Sequence, residues 1–246
     1  MIQSLARGLK ILDLLGQNPD GASITELAEI LGVDKGSASR LVSTLVRYGY
    51  AEKDETTRRY HPGPQVVSLS RSVLTRLPLR EAAKPFLRQL MERTGECTHL
   101  AMPEPGKVLY IDQVESPASL RVNAQVGTMN PLHCTALGKA MLAYGGLDIP
   151  PVLERYTART ICSKRALSAN LEQIQRAGYA VDDLEFDPDV RCIAVPVFDF
   201  RGKVVGSIGI SGPSSRVTTE KLPILSATVV EIGKALSERL TFSRED

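Results

Sequence analysis

Two groups of side chains in this sequence have types and spacing suited to chemistry. The first is an acid–thiol set: His133 beside Cys134, with Cys192, Asp182, Asp183 and Glu185 further along. A thiol next to an imidazole can act as a nucleophile, and the same residues could ligate a metal if the fold gathers them. The surrounding pattern argues against both. The sequence holds no H-x-x-x-H, no G-x-S-x-G and no glycine-rich phosphate loop. Its four cysteines lie at irregular spacings without C-x-x-C, unlike a disulfide framework or a structural zinc site. Free cysteines commonly serve as small buried hydrophobes. The expectation is therefore no enzyme, no cofactor and no metal, with two of the three acids facing solvent or capping a loop.

The second group is polar and basic: Lys35, Ser37, Ala38, Ser39 and Arg40 on one stretch, then the adjacent pair Arg58-Arg59. Residues of this kind contact phosphates and base edges. The arginine pair suits a phosphate backbone or a minor groove, with one of the two expected to pair with Glu52 or Asp54 instead.

The elements that must position the basic set are legible from local signals. Ser23-Ile24-Thr25-Glu26 is a capping box opening a short helix that buries Leu27, Ala28 and Leu31. Gly32 permits a tight turn, and Asp34 caps a second helix with Ala38, Leu41, Val42, Leu45 and Val46 at helical spacing. Lys35, Ser37, Ser39, Arg40 and Arg47 fall largely off that apolar face. A polar Asp54-Glu55-Thr56-Thr57 turn between Ala51-Glu52-Lys53 and Arg58-Arg59-Tyr60-His61 reads as a β-hairpin wing. Before all this, Gln3 to Gly16 reads as a helix whose apolar side is Leu5, Leu9, Leu12 and Leu15, ended by Asn18-Pro19-Asp20-Gly21. Residues 23–61 thus form a winged helix-turn-helix, a shape that fits a major groove.

Charge distribution agrees. The net charge is only +2 over 246 residues. Acidic residues outnumber basic ones over residues 1–34, and the balance reverses from Lys35 through Arg93, so a local basic field begins with the second helix. No apolar run approaches the roughly 20 residues that span a bilayer, and the first residues look like an amphipathic helix rather than an export signal, so a cytoplasmic protein is expected.

After Pro62-Gly63-Pro64 the texture changes. Helices are expected over Gln65–Arg76, read as a linker, and over Leu79–Arg93. Strands follow at Cys97–Met102, Val108–Val114 and Leu120–Val126, helices at Thr135–Tyr144 and Ser168–Ala177, strands at Cys192–Phe198 and Val204–Ser211, and a terminal helix over Thr219–Leu240. Hairpins flanked by helices make an α+β domain on an antiparallel sheet. The expected organisation is a DNA-binding domain over 1–63, a linker helix over 64–78 and an α+β domain over 79–246, the last of which the family resemblance below implies to bind an effector and to oligomerise.

Several ordered motifs resemble IclR-family transcriptional regulators. They are Ser4-Leu5-Ala6-Arg7-Gly8-Leu9-Lys10-Ile11-Leu12, Thr25-Glu26-Leu27-Ala28 and Arg59-Tyr60 with Gly63. In the second half they are Pro131-Leu132-His133-Cys134-Thr135-Ala136-Leu137-Gly138-Lys139-Ala140, Gly178 to Glu185, Arg191 to Asp199, and Ser211-Gly212-Pro213. The resemblance implies a winged helix-turn-helix joined to a GAF-like effector domain, acting as a homodimer or homotetramer on a palindromic double-stranded operator. It implies small carboxylates or aromatic acids as effectors. Carried over by motif, the pocket lining is Leu120, Val122, Met129, Leu137, Val190 and Ile193. Asp182, Cys192 and Ser211 supply polar contacts, and Ala136 and Gly138 permit close approach where a helix begins. The sequence departs from the family at Gly209, where relatives often carry a serine, and in Asp34-Lys35-Gly36-Ser37-Ala38-Ser39-Arg40, whose middle side chains are smaller. The alternative is a ligand-sensing module whose head contacts another protein instead of DNA.

Overall fold

The computed structural model describes residues 2–122 and 125–242. The chain divides into two units, Met1–Arg76 and Leu77–Asp246.

In the first unit, helix α1 spans Gln3–Gln17, α2 Ile24–Leu31 and α3 Lys35–Arg47, followed by the wing strands β1 (Ala51–Lys53) and β2 (Tyr60–Pro62) and helix α4 (Pro64–Leu74). Local caps set the helix boundaries. Ser23 Oγ accepts from the Glu26 amide while the Glu26 carboxylate accepts from the Ser23 amide, closing the capping box. Gly32 ends α2 in the left-handed region at φ 63°, and Asp34 accepts from the Ser37 amide at 2.8 Å to start α3. Ile11, Leu15, Leu27, Ala38, Val42 and Ala51 carry most of the core, joined by Ala22 and Ala28. The buried side of α1 is therefore Ile11 and Leu15. Leu5 and Leu9, expected on the apolar side, stand 59% and 56% exposed.

In the second unit, α5 (Pro78–Thr94) precedes the hairpin β3 (Cys97–Glu104) and β4 (Lys107–Val114). Then come β5 (Met129–Pro131), α6 (Ala136–Tyr144), α7 (Lys164–Ala177), β6 (Ala180–Asp183), β7 (Val190–Phe198), β8 (Val204–Pro213) and α8 (Leu222–Phe242). The six strands form one antiparallel sheet in the order β5-β4-β3-β8-β7-β6. Helices cover both faces: α5 and α8 pack with Leu100, Ile193, Val195 and Ile208, whereas α6 and α7 pack with Ala101, Tyr110, Ala180 and Ala194. Burial on both faces is why β7 and β8 read as nearly continuous apolar runs. Among the described residues, no helix is long and apolar enough to cross a membrane.

One expected element is absent. The described part of Leu120–Val126 is not a strand. Side chains take its backbone groups instead: Arg216 Nη1 donates to the Leu120 carbonyl at 2.7 Å, and Cys97 Sγ donates to that of Val122 at 3.2 Å. The open edge of β4 is filled by β5, with Leu109 opposite Met129. Neither β5 nor β6 is visible in the sequence pattern, because each is too short to show alternation.

Helix α6 packs closely, through Gly138, on the backbone of the segment that follows β5. A Cβ there would overlap the carbonyl oxygen and Cα of Leu132. Gly138→Ala is expected to destabilise the second unit by about 1–3 kcal/mol in a denaturant titration. A wild-type midpoint would contradict this close packing.

Candidate functional site

The basic surface of the first unit is built on α3. Lys35 and Arg40 are exposed, and Ser37 and Ser39 half-buried. Asp34 Oδ2 accepts from the Ser37 hydroxyl at 2.6 Å, and Ser37 Oγ in turn accepts from Arg40 Nη2 at 2.9 Å. This chain holds the Arg40 guanidinium near the start of the helix, the end that reaches base edges when such a helix enters a major groove. Ala38 is wholly buried and packs inward, so it has no surface to offer DNA.

The two wing arginines have separate fates. Arg58 is exposed and adopts φ 56°, where the chain turns back into β2. Arg59 is spent inside the fold. Its Nε donates to the Asp20 carbonyl at 2.9 Å, and its Nη2 to the Gly21 carbonyl at 3.0 Å and to both Glu26 oxygens at 3.0 and 2.8 Å. The acid expected to compete for a wing arginine was Glu52 or Asp54; it is Glu26, the capping-box residue. These bonds hold the Glu26 carboxyl below its usual range, the Ser23 amide contributing first and Arg59 next.

The second unit encloses a cavity of about 370 Å³ beneath α6. Antiparallel register places polar residues of its floor in one row, with Ser211 opposite Cys192 and Cys192 opposite Asp182; Cys97, opposite Ser211, continues the row outside the lining. Val122, Val190 and Ile193 add apolar wall, and Ala136 and Leu137 bring the first turn of α6 to its edge. The amides of that turn have no intrahelical acceptor and carry the positive end of the helix dipole, which suits a carboxylate.

Three residues carried over to the pocket lie elsewhere. Leu120 and Met129 are largely exposed, and Gly138 packs on Leu132 while its amide donates to Thr135 Oγ1 at 3.2 Å. Gly209 does line the cavity, but more than a missing hydroxyl is at stake. A Cβ there would meet the Ile193 carbonyl oxygen and lie 2.8 Å from Ala194 Cβ, so β7 would have to move for a serine to fit.

Sequence reasoning missed His99, Tyr110 and Asn130, which line the cavity from β3, β4 and β5. The available signal was parity: His99 shares a strand face with Cys97 and Ala101, and so points where they point.

The electrostatics are set by burial. Asp182 Oδ1 accepts from the Glu185 and Phe186 amides at 2.8 and 3.3 Å, yet desolvation outweighs these bonds and pushes its carboxyl up to about 7. Lys139 on α6, 1% exposed, pairs with Glu185, whose carboxyl is also raised by burial. Leu184, between Asp182 and Glu185, sits at φ 63°, with its carbonyl accepting from Thr157 Oγ1 at 2.6 Å. Asp183 turns away and pairs with Arg191 and Arg159.

The acid–thiol set is brought together only in part: Cys192 and Asp182 are cross-strand partners lining the cavity. His133 Nε2 is 2.9 Å from the Glu154 carbonyl, and of His133, Cys134 and Cys192 only Cys192 lines the cavity. Both thiols are pushed up by burial, which keeps them protonated and poorly nucleophilic. Among the described residues, no group of three or more His, Cys, Asp or Glu side chains could hold a metal ion.

Removing one partner of the buried pair leaves the other charge stranded. Lys139→Met is expected to lose about 3–5 kcal/mol of stability, and Lys139→Met with Glu185→Leu to regain most of it. Unfolding by urea checks both; a double variant no better than the single one would deny the coupling.

Comparison with known proteins accounts for both units. Residues 4–55 match the IclR helix-turn-helix domain, and residues 71–238 match the bacterial transcriptional regulator IclR C-terminal domain. The HTH-type transcriptional regulator BhcR of Paracoccus denitrificans is 37% identical over 242 residues, covering 96% of this chain and 86% of that protein. The crystal structure of the Thermotoga maritima IclR superposes with a TM-score of 0.74 at 30% identity, covering 98% of this chain and 100% of that one. An IclR homolog complexed with 4-hydroxybenzoate, from Microbacterium hydrocarbonoxydans, shares the fold with a TM-score of 0.80 at 23% identity, covering 98% and 100%. The chain belongs to the IclR family, whose members are transcriptional regulators rather than enzymes.

Proposed function

We propose that this chain is a one-component regulator in the cytoplasm, binding a palindromic operator through its winged helix-turn-helix under control of a small organic or aromatic acid. The observation that carries the reading is the cavity under α6, in the same chain as an exposed, pre-held Arg40. A carboxylate fits the α6 first-turn amides, the Ser211 hydroxyl and a protonated Asp182. The homolog complexed with 4-hydroxybenzoate supports an acid of that size. One half-site contact is weak, and two linked heads add their binding energy. The uncovered apolar side chains Leu5, Leu9, Val67, Leu69 and Val73 favour a dimer or a tetramer of this chain, through surfaces that one copy leaves in water. Control requires that the acid bind two arrangements of the heads with different affinity.

Within the DNA surface, Lys35, Ser39 and Arg40 are assigned to the major groove and Arg58 to the backbone, whereas Arg59 positions the wing. Arg40→Ala should weaken operator binding by about 1–3 kcal/mol, and Arg58→Ala should lower the salt slope by about one unit. Mobility shifts on DNA upstream of its own gene, at several salt concentrations, read both. Unchanged operator binding by Arg40→Ala would remove the helix assignment.

Asp182 gives the acid-binding step a pH signature. Below about pH 7 its carboxyl is protonated and can donate to the ligand carboxylate; above that it ionises and repels it. Affinity for an acid should therefore fall as pH rises from 6 to 8, with proton uptake in calorimetry. In Asp182→Asn both effects should vanish. Wild-type affinity that is flat or rising over this range would refute the role.

A further inference from the structure

Among the described polar side chains lining the cavity, His99 is set apart by being buried with no hydrogen-bond partner. His99 is 1% exposed, its ring lines the cavity, and neither Nδ1 nor Nε2 has a hydrogen-bond partner among the described residues. Its position is fixed. Backbone pairing sets it opposite Gly209, and its ring meets Tyr110 edge-on, with centroids 5.5 Å apart and planes at 70°. Tyr110 is itself hydrogen-bonded to the Asn130 side chain, so it is not the residue that needs a partner. An orphaned buried imidazole destabilises a fold, and such a group is expected to be completed by a ligand.

We propose that His99 is a specificity-determining residue that seats a hydroxyl group of the effector, making the effector a hydroxylated monocarboxylic acid. This rests on the acid-binding reading of the same cavity.

The chemistry selects the class. Burial drives the imidazole down to about 4, so it is neutral at physiological pH, with one nitrogen donating and the other accepting. A hydroxyl can serve either nitrogen, because it both donates and accepts. A second carboxylate only accepts, and it would enter a cavity lined by Asp182 and Asp187 and by no lysine or arginine. A methyl group would leave the nitrogens bare.

The register sets the spacing. His99 lies two residues along β3 from Cys97, whose cross-strand partner is Ser211, and diagonal neighbours in an antiparallel pair stand about 7–8 Å apart. The hydroxyl is therefore several bonds from a carboxylate held near Ser211 and the start of α6, as in an ω-hydroxy or 4-hydroxyaryl acid and unlike a 2-hydroxy acid.

Matched pairs test this on the full chain by calorimetry: 4-hydroxybenzoate with benzoate, 4-hydroxybutyrate with butyrate, and lactate with propionate. The expected result is that a distal hydroxyl tightens binding about tenfold or more in at least one pair, while lactate gains nothing over propionate. His99→Leu should erase that gain without weakening the deoxy acid, and His99→Gln should keep part of it. The Leu variant should melt at or above the wild-type temperature, since no protein hydrogen bond is lost. In the wild type, labelled with 15N-histidine, His99 ring nitrogen shifts should move with the hydroxylated acid and not with its deoxy partner. Acids that bind with no hydroxyl preference, a preference surviving in His99→Leu, or a gain confined to lactate would each overturn the proposal alone. Failure of all six acids to bind would overturn it together with the acid-binding reading.

Discussion

Helix α6 is buried along nearly its whole length, from Ala136 to Ala143, and this constraint shapes the second unit. A helix with no exposed face has nowhere to place a charge, yet Lys139 sits in its second turn. Glu185 must neutralise it, because an unpaired ammonium in that position would cost more than the pair's imperfect solvation. Glu185 in turn is held by its backbone: its amide donates to Asp182, and Leu184 is kept in the left-handed region with its carbonyl bound by Thr157. The charge on α6 thus fixes the β6–β7 turn, and the end of β6 supplies Asp182 and the turn supplies Phe186 and Asp187 to the cavity wall.

The same helix sets what the cavity can hold. Gly138 lets α6 approach the Leu132 backbone, and the first-turn amides arrive beside the sheet with no side chain intervening. Across the floor, strand register fixes a polar row from Asp182 to Ser211 and leaves His99 one step aside, opposite Gly209. The arrangement offers a helix dipole, hydroxyl, thiol and neutral-imidazole groups, but no fixed positive side chain on the wall. A ligand held by such groups would be selected by hydrogen-bond pattern and could carry one negative charge, whereas an arginine clamp would favour charge over shape.

What was legible in the sequence follows the range of the interaction involved. The capping box at Ser23–Glu26, the Asp34 cap, the Gly32 and Gly178 terminators and the β3–β4 hairpin depend on residues a few positions apart, and all are found at or near the expected places. The strand expected over Leu120–Val126 fails because its fate is decided by Arg216 and Cys97, remote in sequence. The apolar side of α1 was misjudged for a related reason. Leucines at Leu5 and Leu9 have the right period, but period alone does not say which part of a stripe meets a neighbour. His99 was passed over because a lone histidine on an apolar strand is usually a satisfied core residue; only the absence of any acceptor or donor around it marks it as different.

Arg59 shows why a basic run cannot be converted directly into a nucleic-acid footprint. Its charge counts toward the positive field that begins at Lys35, yet four acceptors from Asp20, Gly21 and Glu26 surround its guanidinium. The capping box supplies the reason. Glu26 already accepts from the Ser23 amide to start α2, which leaves oxygen lone pairs facing the returning wing, and a guanidinium fills them while also binding two backbone carbonyls. Ala22 pairs with Tyr60 beside it, so the wing is tied to the start of α2 by backbone and side chain together. A cap that opens one helix thereby also ties down the hairpin that follows α3. Arg58, one position earlier, stays exposed on the wing. Two adjacent arginines divide the work because Arg58, at φ 56°, lies in the turn ahead of β2 and stays exposed, whereas Arg59 lies against the start of α2.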